Sequence, residues 1–223
     1  MIIGWKGSDM PHDHHDHLSP SGHPFRKDND TPLTYWQQME IAVRELLIEK
    51  GHLPRAEIQA QEEAMDARSP ANGAKVVARA WADPEFKSLL LKDASEASRS
   101  IGLDIGPLRL IAVENTSDVH NLIVCTLCSC YPRDLLGLPP DWYKTRAYRS
   151  RAVKEPRKVL QEFGIDLPQE TTLRVHDSTA DMRYFVVPAR PDGTNHFSEP
   201  AWAELATRDS MIGTGLARAP SQA

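Results

Sequence analysis

All three cysteines of the chain, Cys125, Cys128 and Cys130, fall within six consecutive positions of VCTLCSCYP, residues 124–132. The count is odd, and neighbours this close make poor structural disulfides, so the stretch is not a disulfide scaffold. Three soft thiolates gathered at one point suit a transition metal. Cys128 and Cys130 are one residue apart, so both sulfurs reach one ion only if the backbone curls around it. That curl brings the main-chain nitrogens of Ser129 and Cys130 close to the same ion.

Three chemistries use such a cluster. A structural Cys₃His zinc site needs a fourth side-chain ligand in a tetrahedron. The loop holds no histidine; His120 lies five residues before Cys125, and His176 reaches the site only through the fold. A redox-sensing thiol cluster needs exposed, easily ionised sulfur. A mixed centre uses side-chain sulfur together with backbone nitrogen. An amide nitrogen binds only after losing its proton, which calls for a strongly Lewis-acidic, trivalent ion. Spacing alone leaves all three open.

The elements that must position this loop follow from pattern. Residues 1–32 read as a flexible tail rich in His, Asp and Pro, and its HDHHDH run, residues 12–17, suits loose binding of zinc or nickel. Thr34 with Gln37 reads as a capping box opening a helix that stops at Gly51. Further helices are expected over 54–67, 74–81 and, from the Asp83–Pro84 start signal, up to Gly102. Residues 33–106 thus form a helical arm that contacts a partner subunit. From there the pattern changes to short apolar runs. LRLIAVEN and NLIV predict strands, the second leading straight into Cys125. TTLRVHD and RYFVVPAR predict a hairpin turning at 178–181. Helices are expected after Asp141, over 155–163 and after Ser198, with a last strand at SMIGTGL. Strands and helices mix without βαβ alternation, so residues 107–223 are expected to be an α+β metal-binding catalytic domain.

Composition bounds the partners. The chain has 223 residues, 40% hydrophobic and 26% charged, with net charge −5. An acidic whole argues against nucleic acid as a partner. No apolar run approaches the ~20 residues that span a bilayer, and the N-terminus lacks a basic-then-apolar layout. The expected setting is cytoplasmic, away from membranes. Residues 144–158 are locally basic, with Tyr143 and Tyr148 interleaved. Alone they would suit an RNA-binding face; within an acidic chain, a solvated helix face or subunit contact fits better.

CTLCSC followed by YP and LGLPPDWYK resembles the α subunit of nitrile hydratase. GAKVVARAWADPEFK, VENTSDVHNLIVCTLCSCYP, YRSRAVKEPRKVL, LRVHDSTADMRY and TRDSMIG resemble segments of that family in the same order, covering roughly residues 36–215. The resemblance implies a layered α/β/β/α domain and hydration of a nitrile to its amide. It implies a low-spin Co(III) held by Cys125, Cys128 and Cys130 and by the amide nitrogens of Ser129 and Cys130, with a sixth position for water or substrate. Thr126 matches the cobalt type rather than the Fe(III) type. Cys128 and Cys130 would be oxidised to sulfinic and sulfenic acid, the latter acting as nucleophile or as base for a water. Ser129, Thr126 and Tyr131 would be near neighbours, and Asp177 matches an outer carboxylate. The implied partners are a β subunit, possibly split into two chains, in an (αβ)₂ assembly, and a metallochaperone or activator that loads cobalt.

The pattern departs where the family reads CYPWPVLGLPP and this chain reads CYPRDLLGLPP. Arg133 and Asp134 there serve either a surface salt bridge or altered substrate choice, since arginine favours an anion. The γ subunit of thiocyanate hydrolase, a close relative that turns thiocyanate into carbonyl sulfide and ammonia, resembles the chain in that arginine and in a His/Asp-rich N-terminus. A zinc-stabilised interaction module is the alternative that is not an enzyme.

Overall fold

The computed structural model describes residues 32–220. The His/Asp-rich run lies outside them. Two compact units divide the described residues at Ala67 and Arg68.

The first unit holds α1 (Tyr35–Glu49) and α2 (Arg55–Asp66). Thr34 and Gln37 form the expected capping box: the Thr34 Oγ1 accepts from the Gln37 N–H at 3.3 Å, and the Gln37 Oε1 accepts from the Thr34 N–H at 2.8 Å. Arg55 pairs with Glu45 across the two helices at 2.7 Å. No residue of either helix is buried. Trp36, Met39, Val43 and Leu47 on α1 line an open groove with Leu53 and Ile58.

The second unit begins with α3 (Pro70–Ala82), α4 (Pro84–Lys92) and α5 (Ala94–Ser100). Pro70 at the first position starts α3 four residues before the expected Ala74. Asp83 caps α4, accepting from the N–H groups of Glu85 and Phe86 at 2.9 and 3.1 Å. The single helix expected up to Gly102 is broken at Asp93. Its backbone is extended and its carboxylate accepts from the Glu96 N–H at 2.9 Å, so it ends one helix and caps the next.

The strands are β1 (Arg109–Glu114), β2 (Val119–Val124), β3 (Thr172–Asp177) and β4 (Met182–Val187). β1 pairs with β4, and β2 with β3, both in parallel. The hairpin expected around 178–181 is therefore not formed. Ser178 donates its N–H to Val124 O at 2.7 Å, and the chain crosses from one sheet to the other. α4 and α5 pack on β1, α7 (Arg146–Lys154) on β2 and α8 (Pro156–Glu162) on β3, while β2 and β4 touch between the sheets. The result is an α+β arrangement of helices, sheet, sheet and helices. Leu122, Ile123, Val124, Phe185, Val186 and Val187 are wholly buried at its centre, each contributing roughly 1.5–3 kcal/mol of burial.

Three smaller elements complete the unit: α6 (Arg133–Leu136), α9 (Glu199–Leu205) and α10 (Arg208–Ile212). Thr145, not Asp141, caps α7, while Asp141 opens a short 3-10 turn. The strand expected at SMIGTGL is α10 and the turn after it. Thr207 and Ser210 form a capping box, and Gly213 closes the helix at φ 92°. Among the described residues no helix is long and apolar enough to cross a membrane.

Gly213 is the tightest backbone contact in this region: a Cβ there would stand 1.9 Å from the Asn121 carbonyl oxygen of β2. Gly164 has a similar φ of 81° and open space around it. Gly164→Ala is expected to cost roughly 1–2 kcal/mol, the left-handed penalty alone. Gly213→Ala adds displacement of β2, so urea unfolding should show at least about twice that loss. Equal losses would show that α10 does not brace β2.

Candidate metal centre

β2 carries the chain to Val124, and parallel pairing places Val124 opposite Asp177, the last residue of β3. The carboxyl ends of both strands therefore open at the same edge, where parallel sheets commonly place ligand sites. The loop after β2 turns back on itself there. The Sγ atoms of Cys125 and Cys128 are 3.5 Å apart, those of Cys128 and Cys130 are 3.2 Å apart, and all three lie within 4.8 Å of one another.

The scaffold grips this loop from three sides. Asp177 accepts from the Thr126 N–H at 2.9 Å and from the Thr126 hydroxyl at 2.6 Å. Tyr143 donates to Cys130 O at 2.9 Å, and Tyr148 donates to Ile123 O at 2.6 Å on the strand leading in. The Tyr131 ring packs edge-on against Tyr143, with centroids 5.0 Å apart. Burial pushes all three phenols above their ordinary range, so they remain hydroxyl donors. The Tyr131 hydroxyl is buried without a hydrogen-bond partner among the described residues. Thr126, Ser129 and Cys128 are exposed, and Leu127 at the tip is 87% exposed.

Crowding splits the thiols. Cys128 is brought down to about 7 by hydrogen bonding from Cys130 and Cys125, and by the N–H groups of Ser129 and Cys130 facing its sulfur. Cys130 is pushed up to about 12 by burial and by the neighbouring sulfurs, against the pull of Arg183.

These residues fit a metal. A sulfur–metal bond of ~2.3 Å sets sulfurs ~3.8 Å apart at tetrahedral angles and ~3.3 Å apart at right angles. The separation of 3.2 Å matches the right-angled case and that of 3.5 Å falls between the two. The peptide N–H groups of Ser129 and Cys130 help draw the Cys128 thiol down. No histidine among the described residues joins it. His120 Nε2 donates to Gly213 O at 2.7 Å, and His176 Nε2 donates to Asn121 Oδ1 at 2.8 Å. Both imidazoles are held below their ordinary range, chiefly by burial. A Cys₃His tetrahedron is not assembled.

Of the residues singled out from the sequence, Cys125, Cys128 and Cys130 bring their sulfurs together, Ser129 lies exposed between the last two, and Thr126 and Asp177 clasp each other. Tyr131 points into the interior. Asp134 pairs with Arg68 at 3.2 Å, whereas Arg133 is exposed and makes no ion pair among the described residues. Tyr143, Tyr148 and Arg183 were not assigned to the site. The signal for the first two was present: an aromatic in an otherwise basic helix start needs a buried partner. Neighbouring basic residues also have partners, since Arg151 pairs with Glu155 and Glu162 and Arg157 donates to loop carbonyls 167–171.

A sulfur triangle beside backbone amides, at the carboxyl edge of paired parallel strands in an α+β domain, defines a thiolate-claw metalloprotein. The model of the nitrile hydratase alpha chain matches residues 34–215. A low-molecular-weight cobalt-containing nitrile hydratase alpha subunit from Rhodococcus rhodochrous is 47% identical over 186 residues, covering 82% of this chain and 89% of the relative. Thiocyanate hydrolase subunit gamma from Thiobacillus thioparus is 42% identical over 192 residues, covering 80% and 78%. The solved structure of a double mutant of Fe-type nitrile hydratase from Comamonas testosteroni Ni1 superposes with TM-score 0.77 at 40% identity, covering 86% and 98%. The chain belongs to the nitrile hydratase alpha-chain family.

The split between the thiols is open to measurement in metal-free protein. Alkylation followed by peptide mass spectrometry should label Cys128 first, at a rate that rises with pH through about 7. Cys130, pushed up to about 12, should resist labelling under the same conditions. Preferential labelling of Cys130 would contradict the arrangement.

Proposed function

We propose that this chain is the metal-bearing subunit of a cobalt-type nitrile hydratase, which adds water across a nitrile to give the amide. The observation that carries this reading is the sulfur triangle, within 4.8 Å, faced by the amides of Ser129 and Cys130. Cys125, Cys128 and Cys130 would hold the ion through sulfur, and Ser129 and Cys130 through deprotonated main-chain nitrogen. Co(III), when bound, supplies the Lewis acidity that polarises a C≡N bond or acidifies water. Thr126 in the loop supports cobalt over Fe(III).

The chain's own groups supply the rest. Cys128 as sulfinate and Cys130 as sulfenate present oxygens at the mouth of the claw. The Cys130 oxygen takes a proton from the water that attacks the nitrile carbon, or attacks that carbon itself, in which case a water then releases the imidate and leaves the sulfenate restored; the nitrile nitrogen takes up the proton and the freed imidate tautomerises to amide. Asp177, through Thr126, fixes the loop so that this oxygen keeps its direction. Tyr143 fixes the peptide behind it. Ser129 supplies a hydroxyl free to hydrogen-bond a ligand.

The partner is a β subunit, in one chain or two, within an (αβ)₂ assembly loaded by a cobalt activator. Support comes from exposed apolar surface. Trp36 is 77% exposed on α1, and Leu127 at the claw's tip is 87% exposed.

A second reading, thiocyanate hydrolysis, is favoured by Arg133. It stands exposed three residues beyond Cys130 without an ion pair among the described residues, as a subsite for an anion would require. The gamma subunit of thiocyanate hydrolase is also a relative.

The test uses the chain co-produced with its partner and activator in cobalt medium. We expect one cobalt per chain, an amide from an aliphatic or aromatic nitrile, and little activity from the isolated chain. Cys130→Ser should lower kcat at least about 100-fold while the complex stays assembled. Thiocyanate consumed with no amide from any nitrile would replace the first reading by the second. One zinc per chain with three unmodified cysteines would remove both.

A further inference from the structure

One buried side chain on the strand that leads to the claw must be a donor and an acceptor at once. His120 of β2 is only 3% exposed. Its Nε2 lies 2.7 Å from Gly213 O, at the end of α10. A carbonyl only accepts, so this nitrogen carries the proton. Its Nδ1 lies 3.4 Å from Asn115 Nδ2. The Asn115 amide cannot turn round to offer its oxygen there. That oxygen already accepts from the Asn121 N–H at 2.8 Å and from Asn121 Nδ2 at 2.9 Å, and a backbone N–H only donates. Two backbone groups thus fix every role, and only a neutral ring with its proton on Nε2 satisfies them.

The second imidazole of this network is less constrained. His176 donates through Nε2 to Asn121 Oδ1 at 2.8 Å and stacks on Tyr184, with centroids 4.9 Å apart. Its Nδ1 makes no hydrogen bond among the described residues, so a second proton there breaks none. A second proton on His120 instead sets its Nδ1 against the Asn115 amide, donor to donor, away from water. The groups forced apart join three elements: β2, the turn after β1 and the end of α10. Gly213 already presses on the Asn121 carbonyl with no room for a Cβ, so α10 has little other slack on β2.

We propose that His120 is an acid-sensitive latch holding α10 on β2, closed while the ring is neutral and opened by a proton at Nδ1, which loosens the strand that ends at the claw. The proposal does not rest on the nitrile-hydration reading. Burial holds the ring below its ordinary value, and the bond to Gly213 O opposes this; no charged side chain takes part. The titratable groups on the surrounding elements are engaged elsewhere or turned to solvent. Glu114 of β1 pairs with Lys87 at 2.9 Å, and Asp209 of α10 lies 3.7 Å from Arg208. On β3, Leu173 stands opposite His120 and Arg174 is exposed. Arg183 of β4 donates to Ala180 O and Met182 O. On α7, Arg149 reaches Thr126 O, Arg151 pairs with Glu155 and Glu162, and Arg146 and Lys154 are exposed. Because the folded value is lowered, the latch contributes in full above the ordinary imidazole value of ~6.5. That contribution is lost as the pH falls toward the folded value.

The test is hydrogen exchange with mass spectrometry on the cobalt-loaded, partner-bound complex between pH 7 and pH 5, corrected for intrinsic rates. We expect the opening of α10 to rise by up to about tenfold per pH unit below ~6.5, while α4 stays protected. His120→Gln keeps a donor for Gly213 O and cannot titrate. Its α10 should open more readily at pH 7 and lose this pH dependence. No rise in α10, or an equal rise in α4, would overturn the latch, as would the same slope persisting in His120→Gln. The measurement on the unmodified complex decides the matter even where the variant does not fold.

Discussion

Three sulfurs within 4.8 Å of one another cannot all be anions without a cation among them. Crowding sets the thiols against one another: Cys128 is drawn down to about 7 by its neighbours while Cys130 is pushed up to about 12, chiefly by burial. A trivalent ion removes that conflict, and it is also the kind of ion that makes a peptide nitrogen acidic enough to bind. The amides of Ser129 and Cys130 help draw the Cys128 thiol down. A redox-sensing cluster would use the thiols but has no need of the amides.

The remainder of the second unit can be understood as what keeps that loop from relaxing. β2 ends in the wholly buried Leu122, Ile123 and Val124, which lead into Cys125. β3, in parallel beside it, delivers Asp177 to the same edge, where one carboxylate holds both the N–H and the hydroxyl of Thr126. Tyr143 and Tyr148 tie down the carbonyls at either side of the turn. A buried chain of polar side chains backs the strands. His176 donates to Asn121, Asn121 to Asn115, Asn115 to His120 and His120 to Gly213 O. Since the last acceptor is a carbonyl, every donor in the chain is fixed in direction. The loop's outer side has no such support: Leu127, Cys128 and Ser129 are exposed, as they would be where a partner subunit completes a site.

Local signals survived the passage from sequence to structure, and pairings between distant residues did not. The capping box at Thr34, the Asp83–Pro84 start and the cysteine claw are encoded within a few residues, and each stands where the pattern placed it. The hairpin at 178–181 failed because a short polar link between two apolar runs has the same appearance whether the runs pair with each other or with distant strands. Only burial of β2 from both sides decides for the latter. SMIGTGL has a strand's composition, but Thr207 and Ser210 cap a helix immediately before it, and that signal was available. The Asp177–Thr126 clasp joins residues 51 positions apart, and no local pattern points to it.

The most direct measurement is X-ray absorption at the metal edge of the purified, partner-bound protein. The account requires trivalent cobalt in six-coordinate surroundings, with three sulfur and two nitrogen neighbours from the chain. A four-coordinate zinc spectrum, with sulfur neighbours and no peptide nitrogen, would contradict it and leave the claw a structural clip.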